Sequence, residues 1–195
     1  MQTVQPLRTK AEIEKVKAAL KASSLRDWAM FTLGINTGLR ISDILSIKVG
    51  DVVDPTFRRL RIKERILIVE RKTKKTRDVL LNDSARHALK KYLASSDLQY
   101  KEHFPLFPSR IGGGRMSIQR VRAWTLLNTA AKQSGIKEKV GTHTMRKTYG
   151  YQLYQAGVDV TRIQNMLNHS SPNTTLRYIG ITRDETDAAV RALNL

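Results

Sequence analysis

The chain has 195 residues, 41% of them hydrophobic, which suits one domain with a buried core. Lys and Arg number 35 against 17 Asp and Glu, a formal charge of +18 that favours a polyanionic partner, nucleic acid first. Cys is absent, which excludes disulfides and thiolate metal sites, and neither a signal core near residue 1 nor an aliphatic run longer than residues 66–69 appears. The expectation is therefore a cytoplasmic protein with no membrane partner.

Thr9-Lys10-Ala11-Glu12 is a capping box, followed by Ile13, Val16, Ala19 and Leu20 at helical spacing. A second helix is predicted from Ser24 through Trp28, Phe31 and Ile35, broken by Asn36-Thr37-Gly38, with a short helix carrying Arg40 to Ile47. Residues 58–77 change character. Arg59 to Lys63 alternates with period two, Ile66 to Glu70 is read as a β-branched run and Arg77 to Leu81 ends apolar, which predicts a small three-stranded antiparallel sheet. This stretch holds ten Lys/Arg and two Glu, so it is the most positive part of the chain. Asn82-Asp83 caps a helix through Leu93, and Ser117 is read as the cap of a long helix ending before Gly135. Thr142 or Thr144 opens the next, which stops at Gly157. Helices over 159–168, 172–179 and 184–193 complete a mainly helical α+β domain.

Cleavage of a phosphodiester spreads negative charge over the non-bridging oxygens, and Arg neutralises it best because its planar fork holds two oxygens and stays charged. Two Arg stand inside motifs: Thr37-Gly38-Leu39-Arg40-Ile41-Ser42-Asp43 and His143-Thr144-Met145-Arg146. Arg40 and Asp43 are three apart on a predicted helix, so Asp43 is placed to orient Arg40 or a neighbouring His. His169 follows Asn168, a residue tolerant of a left-handed helix end, and opens a His-Ser-Ser turn. Of the six Tyr, only Tyr178 follows that turn by nine residues. Its phenol is protonated at neutral pH, and cationic neighbours are expected to favour the phenolate. The predicted sheet turn supplies Lys72, Lys74 and Lys75. No zinc cluster, two-metal carboxylate set or Gly-x-Ser-x-Gly elbow accompanies them.

The three boxes, in this order and with one Tyr downstream, resemble the catalytic domain of the tyrosine recombinases, the phage integrase family. The resemblance spans about Thr9 to Leu193. It implies that Tyr178 attacks DNA to form a 3′-phosphotyrosyl link and releases a 5′-hydroxyl. Arg40, Arg146 and His169 would stabilise the transition state, Lys72 would protonate the leaving oxygen, and His143 would assist proton transfer or hold the phosphate. Asp43 would support them, and Lys74, Lys75 and Arg77 would bind the DNA backbone. Arg146→Ala is expected to abolish cleavage with little loss of folding. No metal or other cofactor is implied.

The implied partners are double-stranded DNA, further copies of the chain in a tetrameric synapse and, where present, accessory DNA-bending proteins. Residues 184–195, with Ala188, Ala189, Ala192 and Leu193 as an apolar stripe, could be exchanged between protomers. Met145, Lys147 and Gly150 depart from the commonest residues of the second Arg box. The larger departure is that residues 1–195 read as a single catalytic domain without an N-terminal core-binding or arm-binding domain, as in an excised fragment or a minimal recombinase similar to the fimbrial inversion enzymes. Two other readings share the fold or the chemistry: a DNA-binding regulator without catalysis, and a type IB topoisomerase-like relaxing enzyme.

Overall fold

The computed structural model of the protein describes residues 4–111, 113–181, 187 and 190–193. Helix α1 (Lys10–Ser23) opens on the expected capping box: Thr9 Oγ1 accepts from the Glu12 amide at 3.1 Å, and the Glu12 carboxylate accepts from the Thr9 amide at 3.0 Å. Ile13, Val16 and Leu20 bury its one apolar face. Helix α2 (Leu25–Thr37), capped by Ser24, is different in kind, because every residue from Asp27 to Gly34 is buried. A helix covered on all sides is the centre of the fold, and α2 packs against α1, α5 (Asp83–Leu93) and α7 (Thr142–Gln155). Gly34 permits the last contact: a Cβ there would lie 2.6 Å from Met145 Sδ. Gly38, at φ 63°, ends α2 and turns the chain into α3 (Ile41–Ile44), shorter than the predicted 40–47. A further turn of helix, α4 (Val49–Val52), was not foreseen.

The sheet has two strands rather than three, β1 (Arg65–Val69) and β2 (Thr76–Leu80), antiparallel with Ile66 opposite Val79 and Ile68 opposite Arg77. The expected first strand, 59–63, forms only an isolated bridge between Ile62 and Val53. Its backbone groups are used elsewhere. The Asp54 amide donates to the Arg61 carbonyl and the Lys63 amide to the Val52 carbonyl, so the segment pairs with the end of α4 and not with β1.

Beyond α5 and a 3₁₀ turn at Asp97–Tyr100 comes α6 (Arg120–Gln133). Ser117 does not cap it. The Ser117 hydroxyl donates to the Phe107 carbonyl within a bridge to Pro108, and the helix starts later, after Gln119. Helices α8 (Val160–Leu167) and α9 (Pro172–Ile179) follow α7. Tyr151, Ile163, Leu167 and Ile179 form a second, smaller apolar cluster that fastens both to α7. Gly150 lies in its centre, where a Cβ would meet Ile179 Cγ2 at 2.7 Å. Of the predicted 184–193 helix, Ala188 and Ala189 lie outside the described residues, and Ala192 and Leu193 are exposed. Among the described residues no helix is long and apolar enough to cross a membrane.

Candidate active site

Three segments come together: the end of α2 and the α8–α9 turn, both bonded from α7, and the β1–β2 hairpin, bonded to the first through Glu70 and Arg77. Arg146, buried at 3% exposure, joins two of them. One Nη donates to the carbonyl of Gly38 and the other to the carbonyl of Leu167. These are the C-terminal ends of α2 and α8, where helix dipoles and unpaired carbonyls favour a cation. The Arg of the second box thus clamps the first box to the third. Two of its five N–H groups are spent on these carbonyls, and the fork keeps donors for an anion. Burial and the nearby Arg40 guanidinium lower its pKa to about 10, while the Tyr178 and Glu70 oxygens act the other way.

Asn168 ends α8 in the left-handed conformation, φ 49° and ψ 50°, as its tolerance for that region allowed. The turn is pinned by the His169 amide donating to the Gln164 carbonyl and by the Gln164 side-chain amide donating to the His169 carbonyl. Ser171 then caps α9, accepting from the Thr174 amide, with Pro172 at the first helical position. Two turns later Tyr178 meets His169 edge to face, ring centroids 4.8 Å apart. His169 Nδ1 lies 3.1 Å from Thr175 Oγ1, and that hydroxyl is within 3.2 Å of the Ser171 carbonyl. Burial, then Arg146 and Arg40, depress the His169 pKa to about 4.

His143 projects from the first turn of α7, with Nδ1 3.4 Å from the Tyr178 hydroxyl. Although His143 keeps an open edge to solvent, its ring is packed closely enough for desolvation to dominate. Together with Arg120, Arg146, Lys147 and Arg40, this holds its pKa below the usual imidazole value. Tyr178 departs from expectation. Burial raises its pKa above that of an ordinary phenol, against the opposing pull of Arg146, Arg40 and a hydrogen bond from Arg146. Desolvation of the phenolate outweighs its cationic neighbours, so the group is a phenol at neutral pH and needs a base. Lys147, marked in the sequence only as a departure in the second Arg box, places Nζ 5.2 Å from the centre of the Tyr178 ring.

Arg40, His143, Arg146, His169 and Tyr178 are therefore gathered into one cluster. The remaining candidates are arranged otherwise. Asp43 is fully buried, and its carboxylate bonds neither the Arg40 guanidinium nor a His; its Oδ1 accepts from the Arg71 amide at 3.0 Å and so holds the β1–β2 turn. The carboxylate on Arg40 is Glu70, whose Oε2 accepts from Arg40 Nη1 at 2.9 Å. Arg77 does not lie on the open surface with the turn lysines. Its register opposite Ile68 turns it to the inner face of the hairpin, where it donates to the Thr37 carbonyl and lies 3.9 Å from Glu70. Lys72, Lys74 and Lys75 are exposed in the turn itself. Glu70 and Thr175 were both readable as exceptions. Residue 70 continues the buried alternation of Ile66 and Ile68, and residue 175 lies one turn before the buried Ile179. A polar group on a core-facing position requires a partner.

The sequence profile of the phage integrase family matches residues 8–185. The chain belongs to the phage integrase family. It is 41% identical over 191 residues to YoeC of Bacillus subtilis strain 168, described as a probable integrase/recombinase, covering 98% of this chain and 97% of that one. It is 35% identical over 159 residues to the tyrosine recombinase XerC of Thermodesulfovibrio yellowstonii, covering 78% of this chain but 49% of that protein. The chain therefore spans nearly all of the first relative and about half of the second. The crystal structure of XerA recombinase superposes with a TM-score of 0.75 at 22% identity, covering all of this chain and 66% of that one. XerH recombinase, solved with a palindromic difH substrate after cleavage, gives 0.73 at 20% identity, covering all of this chain and 55% of that one. These likenesses show that this integrase-family chain has the tyrosine recombinase catalytic fold, mainly helical with a small antiparallel sheet.

Proposed function

We propose that this member of the phage integrase family is a site-specific DNA recombinase that cuts and rejoins strands through a 3′-phosphotyrosyl intermediate on Tyr178. The observation that carries the proposal is the His143 Nδ1 to Tyr178 hydroxyl distance of 3.4 Å, in a cluster shared with Arg40, Arg146 and His169. The phenol oxygen attacks phosphorus and its proton passes to neutral His143. The bond from phosphorus to the 5′-oxygen breaks, and Lys72 protonates that oxygen as it leaves. Arg40 and Arg146 offset the charge on the non-bridging oxygens as fixed donors, so the step needs no metal. A 5′-hydroxyl from a second duplex reverses the sequence and reseals the strand.

His169 adds a donor when the phosphate arrives. An anion beside Nε2 raises the depressed imidazole pKa, and the doubly protonated ring gives Nδ1–H to Thr175 and Nε2–H to the phosphate. Residues 1–195 act as one catalytic domain in this reading, with Lys74 and Lys75 on the DNA backbone. The full reaction uses two duplexes and a tetramer of chains. The test is a nicked suicide duplex carrying a DNA site that the chain binds specifically, incubated without metal beside Tyr178→Phe. A protein–DNA adduct on a denaturing gel from the native chain alone is the expected result. Specific binding with no adduct would reject the proposal.

A further inference from the structure

We infer that Glu70 is a positioning residue of the active site, the carboxylate that sets Arg40 toward the scissile phosphate and ties it to the turn bearing Lys72. This deepens the recombinase reading and rests on it. Glu70 closes β1 on its inner face, at 3% exposure. A carboxylate buried to that degree is costly unless its oxygens are met by donors or cations. Oε2 accepts from Arg40 Nη1 at 2.9 Å and from Thr73 Oγ1 at 2.7 Å. Oε1 has no hydrogen-bond partner among the described residues and faces Arg77 Nη1, itself unpartnered, at 3.9 Å.

Two consequences follow for the reacting groups. Arg40 is half-buried on a long side chain, and among the described residues Glu70 is its one side-chain partner. That bond holds the guanidinium by one edge, leaving the other donors of its fork for an anion. The second consequence is mechanical. Glu70 and Thr73 bracket Lys72 in sequence, and Thr73 donates to the same carboxylate oxygen that accepts from Arg40. The neighbouring Arg71 amide is held by Asp43. The turn carrying the proposed acid is thus fastened at residues 70 and 71 to the segment carrying Arg40, and Thr73 closes it back on Glu70.

Glu70 also answers the repulsion within the cluster. Arg40 lowers the pKa of Arg146 and Glu70 raises it. The carboxylate is held ionised below its ordinary range, with burial opposed by Thr73 and Arg40. One negative charge among the guanidiniums keeps them close together without DNA.

Glu70→Gln keeps shape and hydrogen-bond reach while removing the charge. With a suicide duplex at saturating concentration, its adduct rate should fall on the order of 10- to 100-fold, the usual effect of a misplaced group. The dissociation constant for DNA should change less than about threefold. The same variant is examined by 15N guanidinium spectra, with the Arg40 signal assigned by its loss in Arg40→Lys. Release of Arg40 should broaden or collapse the restrained signal seen in the native chain. Thr73→Val removes the second donor to Oε2 and should give a smaller change of the same kind; it carries the test if Glu70→Gln does not fold. A native adduct rate together with an unchanged Arg40 signal overturns the inference. A changed Arg40 signal in a chain whose native form makes no adduct would reject the recombinase reading and leave the Glu70–Arg40 restraint standing.

Discussion

The imidazole Nδ1 of His143 lies 3.4 Å from the hydroxyl of Tyr178, across 35 residues of sequence. The two groups have pKa values pushed apart, His143 downward by desolvation of its packed edge and by neighbouring cations, Tyr178 upward by burial. A neutral base beside a protonated nucleophile is the state in which proton transfer can accompany attack.

The pH dependence follows from these signs. A lowered imidazole pKa keeps His143 unprotonated further into acid than an ordinary His. With DNA well below saturation, where the rate reports the DNA-free site, adduct formation should therefore be flat near neutral pH and fall only below about 6.5. His143→Gln should lose that acid limb along with most of the rate. A native limb centred above about 6.5 would remove His143 as the base.

Arg146 has a structural duty as well as a chemical one. Its replacement by Ala leaves the carbonyls of Gly38 and Leu167 without their donor, which argues for a larger cost than the little loss of folding expected from sequence. Arg146→Ala should cost about 2 kcal/mol or more in urea unfolding and abolish cleavage. A variant as stable as the native chain would show that other groups satisfy both carbonyls.

Lys72 is the proposed acid for the 5′-oxygen, and a better leaving group removes the need for it. Lys72→Ala should slow adduct formation on ordinary DNA by about 100-fold or more. A 5′-bridging phosphorothioate, whose thiolate departs without a proton, should restore most of the rate. Equal slowing on both substrates would assign the acid to another group.

The His169 pKa of about 4 makes stability depend on acidity. The unfolded chain takes up a proton near the ordinary imidazole value of about 6.5, and the folded chain does so only near 4. This contribution is complete above the higher value and is lost as pH falls toward the lower one. The fall in Tm between about pH 7.5 and 4.5 should be smaller for His169→Gln than for the native chain. Equal losses would show that the ring is not held neutral by the fold.

Gly150 is where α9 is seated. A methyl there meets Ile179 at 2.7 Å and Leu167 at 3.0 Å. Gly150→Ala should cost about 1–3 kcal/mol in unfolding and slow adduct formation, because the shift acts on the helix bearing Tyr178. A native adduct rate would show that the small cluster repacks without moving that helix.

The sequence alone determined the local elements whose signals are local. The Thr9 capping box, the glycine end of α2, the left-handed Asn168 and the Ser171-Pro172 start of α9 each depend on a few adjacent residues. The spacing of the three boxes likewise marked the residues that gather round Tyr178. Tertiary structure decided which carboxylate meets which cation and which protonation state prevails. Asp43 shares a short segment with Arg40, yet the chain turns Asp43 inward to the hairpin backbone and brings Glu70 across 30 residues to the guanidinium. Arg77 looked like a surface cation until strand register set it opposite Ile68 on the buried face. The third strand was lost because residues 61–63 found backbone partners beside α4. Tyr178 is held as a phenol because burial outweighs the attraction of nearby charges, and burial exists only once α7, α8 and α9 have packed together.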